Sequence, residues 1–195
     1  MNEYNLEKMQ HSLKKDLDKE RYRHTMGVTY TCAALAMRYE YDLEKAQVAG
    51  LLHDCAKCIS NKKKVKICEE HKIAISHAEE KSPFLLHAKV GAYIANTKYN
   101  IADVEILDSI RYHTTGRKDM TLLDKIVFIA DYIEPMRDKA PNLPMLRKTA
   151  FEDIDEALYL ILRDTLGYLH TSQEEIDPMT QISYDYYAKE HENRK

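Results

Sequence analysis

Apolar residues recur along this chain at spacings of three and four, the signature of helices that bury one face. Leu6, Met9, Leu13 and Leu17 form such a stripe, so residues 4–18 read as an amphipathic helix. Residues 20–40 continue the pattern with Val28, Cys32, Leu35 and Tyr39. Asp42 is suited to cap a third helix that runs to about Lys57 and turns Leu43, Ala46, Ala49 and Leu52 inward. Asn61 opens a short basic helix over 62–72, and 73–81 reads as loop. Ser82-Pro83 joins a capping residue to a Pro at the first helical position and starts a helix to about Tyr99. Asp103 opens another that ends near His113, with Gly116 just beyond. Thr121 caps the next, which stops near Pro135. Pro141 and Pro144 mark a loop. Residues 146–170 read as one long helix with Phe151, Ile154, Leu158, Ile161, Leu162 and Leu166 inward, and Asp177-Pro178 starts the last. No repeat, low-complexity tract or strand pattern interrupts the series. The expected fold is all-α, a single helical bundle of about ten helices.

Composition supports that picture and narrows the partners. A length of 195 residues suits one domain, and 44% hydrophobic content is enough for a core. A charged fraction of 31%, with five Gly and five Pro, fits helices with solvated outer faces. The net charge of -3 gives no bulk attraction to nucleic acid. No apolar run approaches the roughly 18 residues of a membrane span. The stretch Met1 to Asp18 has no signal-peptide core, so a cytoplasmic protein is expected. The four cysteines (Cys32, Cys55, Cys58 and Cys68) are expected as reduced thiols. Cys55 and Cys58 form a CxxC, but no second pair stands at zinc-site spacing.

The chemistry is concentrated in histidine and aspartate. His53-Asp54 stands at the end of the apolar run Leu51-Leu52, where an imidazole and a carboxylate need partners to be buried at tolerable cost. His24, His87, His113 and Asp131 each fall near a helix end or within a turn of one. Ligands on separate helices converge on one pocket in a bundle. One ion is expected on His24, His53, Asp54 and Asp131, and a second on Asp54, His87 and His113, with Asp54 bridging. Mixed imidazole and carboxylate donors favour Fe, Mn, Zn, Co or Ni over Mg or Ca. His11, His71, His77, His170 and His191 read as ordinary surface or core residues.

The order H…HD…H…H…D resembles that of the HD-domain superfamily of metal-dependent phosphohydrolases. The segments Arg21–Val28, His53–Lys57, His87–Ala92, Arg111–Gly116 and Ile129–Arg137 are similar to the motifs of the bacterial YqeK family. They place a motif-bearing core at about 19–137, with a helical extension at about 146–193, within one domain. One departure is Cys55, where a Tyr or similar residue is expected. The resemblance implies an all-helical fold, a dinuclear centre usually described with iron, and symmetrical hydrolysis of diadenosine tetraphosphate to two ADP.

Such a substrate needs cations. Lys57 lies one turn beyond Asp54, and Arg137 follows the Asp131 helix by a short turn. Arg117 and Lys118 follow His113 beside Thr114-Thr115-Gly116, whose hydroxyls and backbone N–H groups suit phosphate. Lys57, Thr114, Arg117 and Arg137 are therefore the expected substrate contacts. Asp54, Lys57 and Arg137 are the expected catalytic residues around a metal-bridging hydroxide. Lys62-Lys63-Lys64 with Lys66 reads as a solvated face. Tyr99, Tyr112 and Tyr132 are possible base-stacking residues among fourteen tyrosines, with none preferred. The Tyr-rich C-terminal helices suggest a homodimer. Two other readings share the ligands: an HD hydrolase for a deoxynucleoside triphosphate, nucleoside monophosphate or cyclic dinucleotide, and a catalytically silent nucleotide or metal sensor.

Overall fold

A computed structural model describes residues 4–172 and 176–194, and every regular element among them is helical. In chain order these are α1 (Leu6–Asp16), α2 (Lys19–Arg38), α3 (Leu43–Leu52), α4 (Asn61–Glu70) and α5 (His77–Lys81). A 3-10 turn, Pro83–Leu86, leads into α6 (His87–Tyr99), followed by α7 (Val104–Tyr112) and α8 (Leu122–Ile133). The C-terminal part holds α9 (Leu143–Glu152), α10 (Ile154–Thr171) and α11 (Pro178–Asn193).

Short acidic and hydroxyl side chains start most of these helices. Asp18, Asp42, Asp103 and Thr121 each accept a hydrogen bond from a backbone N–H in the first turn. Each thereby satisfies a donor that has no partner within its helix. The main core forms where α2 lies along α3 and α8 packs on both, with α7 closing the other side. Val28, Leu35, Leu51, Leu52, Ile110, Ile126 and Ile129 are fully buried there. Gly50 allows the close approach of α3 to α2, because a Cβ at that position would meet Cys32 Sγ at 2.8 Å. A smaller cluster of Ala56, Cys68, Leu86 and Val90 seats α4 on the start of α6.

Several boundaries differ from the sequence pattern. The third helix ends at Leu52 rather than near Lys57. Beyond it the backbone winds more tightly: Cys55 N–H bonds Leu52 O, and Lys57 N–H bonds Asp54 O. Segment 73–81, read as loop, holds α5, set by a capping box between Ser76 and Glu79. Ser60, not Asn61, is the N-cap of α4. Pro83 begins a 3-10 turn, and α6 starts only at His87.

The expected long helix over 146–170 is two helices. Asp153 takes an extended conformation and caps α10 through the N–H groups of Asp155 and Glu156. Pro144 lies in the first turn of α9 rather than in a loop. The break leaves Phe151 37% exposed, and Leu43, at the first turn of α3, is also exposed. Lys64 departs furthest from the pattern: it is buried inside the lysine run, with Nζ donating to Phe84 O at 3.4 Å. All four cysteines are free thiols, and burial followed by the nearby Asp54 charge pushes Cys55 up to about 12.

Candidate metal centre

Six side chains from five parts of the chain meet at one point. His24 comes from α2, His53 and Asp54 from the tight winding after α3, and His87 from the first residue of α6. His113 follows α7, and Asp131 lies in the last turn of α8. In helical winding of the i→i+3 kind, residues three apart eclipse one another. That places Lys57 over Asp54, its Nζ 3.8 Å from Oδ1. The early end of α3 therefore supplies the convergence that a continued α-helix would not.

Asp54 is the centre of the arrangement and is 1% exposed. Its Oδ1 lies 3.3 Å from His87 Nε2 and 3.6 Å from His113 Nε2. Its Oδ2 lies 3.5 Å from His53 Nε2 and 4.0 Å from His24 Nε2. Asp131 completes the second side, with Oδ1 3.0 Å from His24 Nε2 and 3.9 Å from His53 Nε2. The donor atoms of His24, His53 and Asp131 lie within 4.8 Å of one another, as do those of His53, Asp54 and His113.

Each imidazole is fixed from behind. His53 Nδ1 pairs with Gly50 O at 2.7 Å, His87 Nδ1 with Phe84 O at 2.8 Å, and His113 Nδ1 with Ile110 O at 2.7 Å. His24 Nδ1 pairs with Glu134 Oε1 at 3.0 Å. A proton held at Nδ1 leaves the Nε2 lone pair facing the centre, the tautomer a metal ligand needs. His24 Nε2, His53 Nε2 and Asp54 Oδ1 are buried with no hydrogen-bond partner. Inward lone pairs, orphaned acceptors and an imidazole–carboxylate donor set together fit transition-metal ions.

The electrostatics agree. Burial pushes Asp54 up, yet His53, His113 and Lys57 outweigh it and hold the carboxyl well below its usual range. Asp131 is likewise pushed up by burial but held low by His24, His53 and Arg137. Burial and then the Lys57 ammonium keep His87 well below its ordinary value, so it stays neutral. Burial also lowers His24, but Asp131 and Glu134 overcome it and raise its net value.

Most of the expected phosphate-binding residues join this cluster. Lys57 Nζ is 3.1 Å from His87 Nε2. Arg137 donates to Asp131 Oδ1 at 3.1 Å and to its carbonyl at 2.9 Å. Thr114 Oγ1 lies 3.3 Å from Nε2 of both His87 and His113. Arg117 does not join them. Its guanidinium pairs with buried Asp124 at 2.7 Å and with Asp108 at 3.0 Å.

Three further residues belong to the centre without having been singled out. Arg21 donates to Asp54 Oδ2 at 2.8 Å from one turn before His24. Glu134, buried one turn after Asp131, braces His24 and accepts from Met136 N–H at 2.6 Å. Gly27 lies against Glu134, and a Cβ there would overlap Oε2. The available signal was helical spacing, since Arg21 and Gly27 flank His24 at i−3 and i+3.

The sequence profile of the HD domain matches residues 21–136. The chain is 38% identical over 174 residues to a Bacillus subtilis protein named bis(5'-nucleosyl)-tetraphosphatase, symmetrical, covering 89% of this chain and 92% of that one. A Staphylococcus aureus protein of the same name is 36% identical over 193 residues, covering 92% and 95%. Among solved structures, a Clostridium acetobutylicum protein described as a predicted HD superfamily hydrolase involved in NAD metabolism superposes with a TM-score of 0.91. It shares 35% sequence identity, and the match covers 96% of this chain and 98% of that one.

Proposed function

The chain belongs to the HD-domain family, in its YqeK-like group, and on that footing we propose that it hydrolyses diadenosine tetraphosphate symmetrically to two ADP. One observation carries the reading: the two oxygens of buried Asp54 face separate sets of inward imidazoles, with cations at the rim. We assign one ion to His24, His53, Asp54 and Asp131, and a second to Asp54, His87 and His113. Iron is the ion the resemblance favours, and Mn, Co, Ni and Zn share the donor preference. Ions bound there would neutralise phosphate charge and supply hydroxide near neutral pH by lowering the pKa of coordinated water.

The protein's own residues then have separable roles. We assign Lys57, Arg137 and Arg21, which lie against Asp54 and Asp131, to the charge that accumulates on the phosphoryl oxygens as the P–O bond breaks. The Thr114 hydroxyl is placed to donate to a phosphate oxygen. The leaving ADP carries a terminal phosphate whose second pKa is about 6, by analogy with phosphate monoesters. It departs as an anion at neutral pH, so this reaction needs no strong general acid at the leaving oxygen. Arg117 we assign to the scaffold, because two carboxylates already engage it.

We further propose a cytoplasmic homodimer joined through the C-terminal helices, where Tyr168 is 67% exposed. Among the described residues no helix is long and apolar enough to cross a membrane. The functional reading is tested by incubating pure protein with Mn or Fe and a nucleotide panel. Two ADP from diadenosine tetraphosphate is the expected result. ATP plus AMP, or preference for another nucleotide, would contradict it, and tight nucleotide binding without turnover would point to a sensor.

A further inference from the structure

A cleft of about 250 Å³ opens beside the metal centre, between α7 and α11. Leu85, Ala88, Met179 and Ile182 form its apolar walls, and Glu79, Lys89 and Arg111 also line it. Thr114 lines the cleft too, and its hydroxyl lies 3.3 Å from Nε2 of His87 and of His113. A largely apolar slot therefore meets a charged, phosphate-suited centre at one residue. That is the shape of a nucleoside phosphate: a flat, weakly polar base and sugar joined at one point to an anion.

Size narrows the occupant. Pockets for drug-sized ligands run to roughly 300–1,000 Å³. This cleft falls just below that range, which suits one nucleoside rather than a whole dinucleotide. Its chemistry agrees. The half-buried Tyr112 ring offers an aromatic surface to the cleft. Asp177 at the rim accepts from Ser76 Oγ and Met179 N–H, and its carboxylate keeps lone pairs that can accept from the exocyclic amino group of adenine. Of the tyrosines considered for stacking, Tyr99 lines a separate cavity with Tyr4 and Met9, and Tyr132 packs on the core. Tyr112 alone of the three stands at this cleft.

We propose that the cleft between α7 and α11 binds one adenosine of the dinucleotide, with the polyphosphate passing Thr114 into the metal centre. The proposal rests on the substrate reading above and adds the place where the base is held. Ile182 is 38% exposed, so its replacement should leave the fold intact. Ile182→Glu puts a charge into the apolar slot. It is expected to raise KM for diadenosine tetraphosphate about tenfold, the loss of roughly one buried apolar contact, with metal content and kcat at wild-type levels. Ile182→Leu should restore the wild-type KM. Adenosine, which carries no phosphate, should compete with substrate in the wild-type protein and not in Ile182→Glu. An unchanged KM with retained adenosine inhibition in Ile182→Glu would overturn the assignment. Should the wild-type protein fail to split the dinucleotide, the substrate reading falls and the cleft is still decided by NMR titration with adenosine. Shifts centred on Ala88, Thr115 and Ile182 would uphold it, and shifts elsewhere or none would refute it.

Discussion

His87 and His113 face each other through their Nε2 atoms, 3.2 Å apart, while each holds its Nδ1 proton on a backbone carbonyl. In that tautomer both facing atoms are lone pairs, and Asp54 Oδ1 adds a third within 3.6 Å. Three acceptors crowded together in a buried site repel unless a cation lies among them. Lys57 Nζ, 3.1 Å from His87 Nε2, and the Thr114 hydroxyl, 3.3 Å from both Nε2 atoms, answer this only in part.

Metal removal should therefore destabilise the protein. An ion present at about a hundred times its Kd adds roughly 2.7 kcal/mol to the folded state. For a domain of this size that corresponds to about 5–10 °C. Calorimetry before and after chelation, with Mn added back, checks it. An unchanged Tm would argue against ions at this site.

Gly27 is expected to be intolerant of a side chain because it leaves room for Glu134. Gly27→Ala should displace the Glu134 carboxylate and free His24 Nδ1 from its brace. Loss of such an outer partner costs about 10–100-fold in metal affinity or activity. Metal titration of Gly27→Ala and of Glu134→Ala should give losses of similar size. A large loss in Gly27→Ala alone would place its effect elsewhere.

Metal affinity should fall on acidification through His24. Its folded value is raised above 6.5, chiefly because Asp131 and Glu134 overcome the effect of burial. In the metal-free protein the His24–Asp131 pair thus contributes stability that is fully present below 6.5 and fades as pH rises through the raised value. An ion must displace that proton, so binding strengthens as pH rises through the same window. Metal titrations from pH 6 to 8, as round values spanning the ordinary His range, test this. A pH-independent affinity would contradict it.

Lys57 and Arg117 should separate catalysis from scaffold. Lys57→Ala is expected to keep its metals and lose on the order of a hundredfold in kcat. Arg117→Ala should leave KM unchanged and cost about 1–3 kcal/mol, because the buried Asp124 carboxylate loses its partner. Urea unfolding and steady-state kinetics on both variants decide the matter. A raised KM in Arg117→Ala would return that residue to the substrate.

The contrast between these two residues shows what the chain makes legible. The six histidine and aspartate positions can be read because few residue types hold transition metals and their order is distinctive. Caps such as Asp103 and Thr121 can be read because they act on their own first turn. The Ser76–Glu79 capping box was equally local and was hidden by its short helix. That Arg117 pairs with Asp108 and Asp124 could not be read, because those carboxylates come together only in the fold. Lys64 looks like its exposed neighbours, and only the arrival of Phe84 over α4 buries it. Arg21, Glu134 and the cleft under α11 are likewise products of tertiary placement.

The two-ion assignment requires Asp54 to be shared between both ions. Anomalous diffraction from crystals loaded with Mn or Fe tests it most directly. Two peaks are expected, one beside Asp54 Oδ2 with His24, His53 and Asp131, the other beside Oδ1 with His87 and His113. A single peak, or two peaks that do not share Asp54, would contradict it.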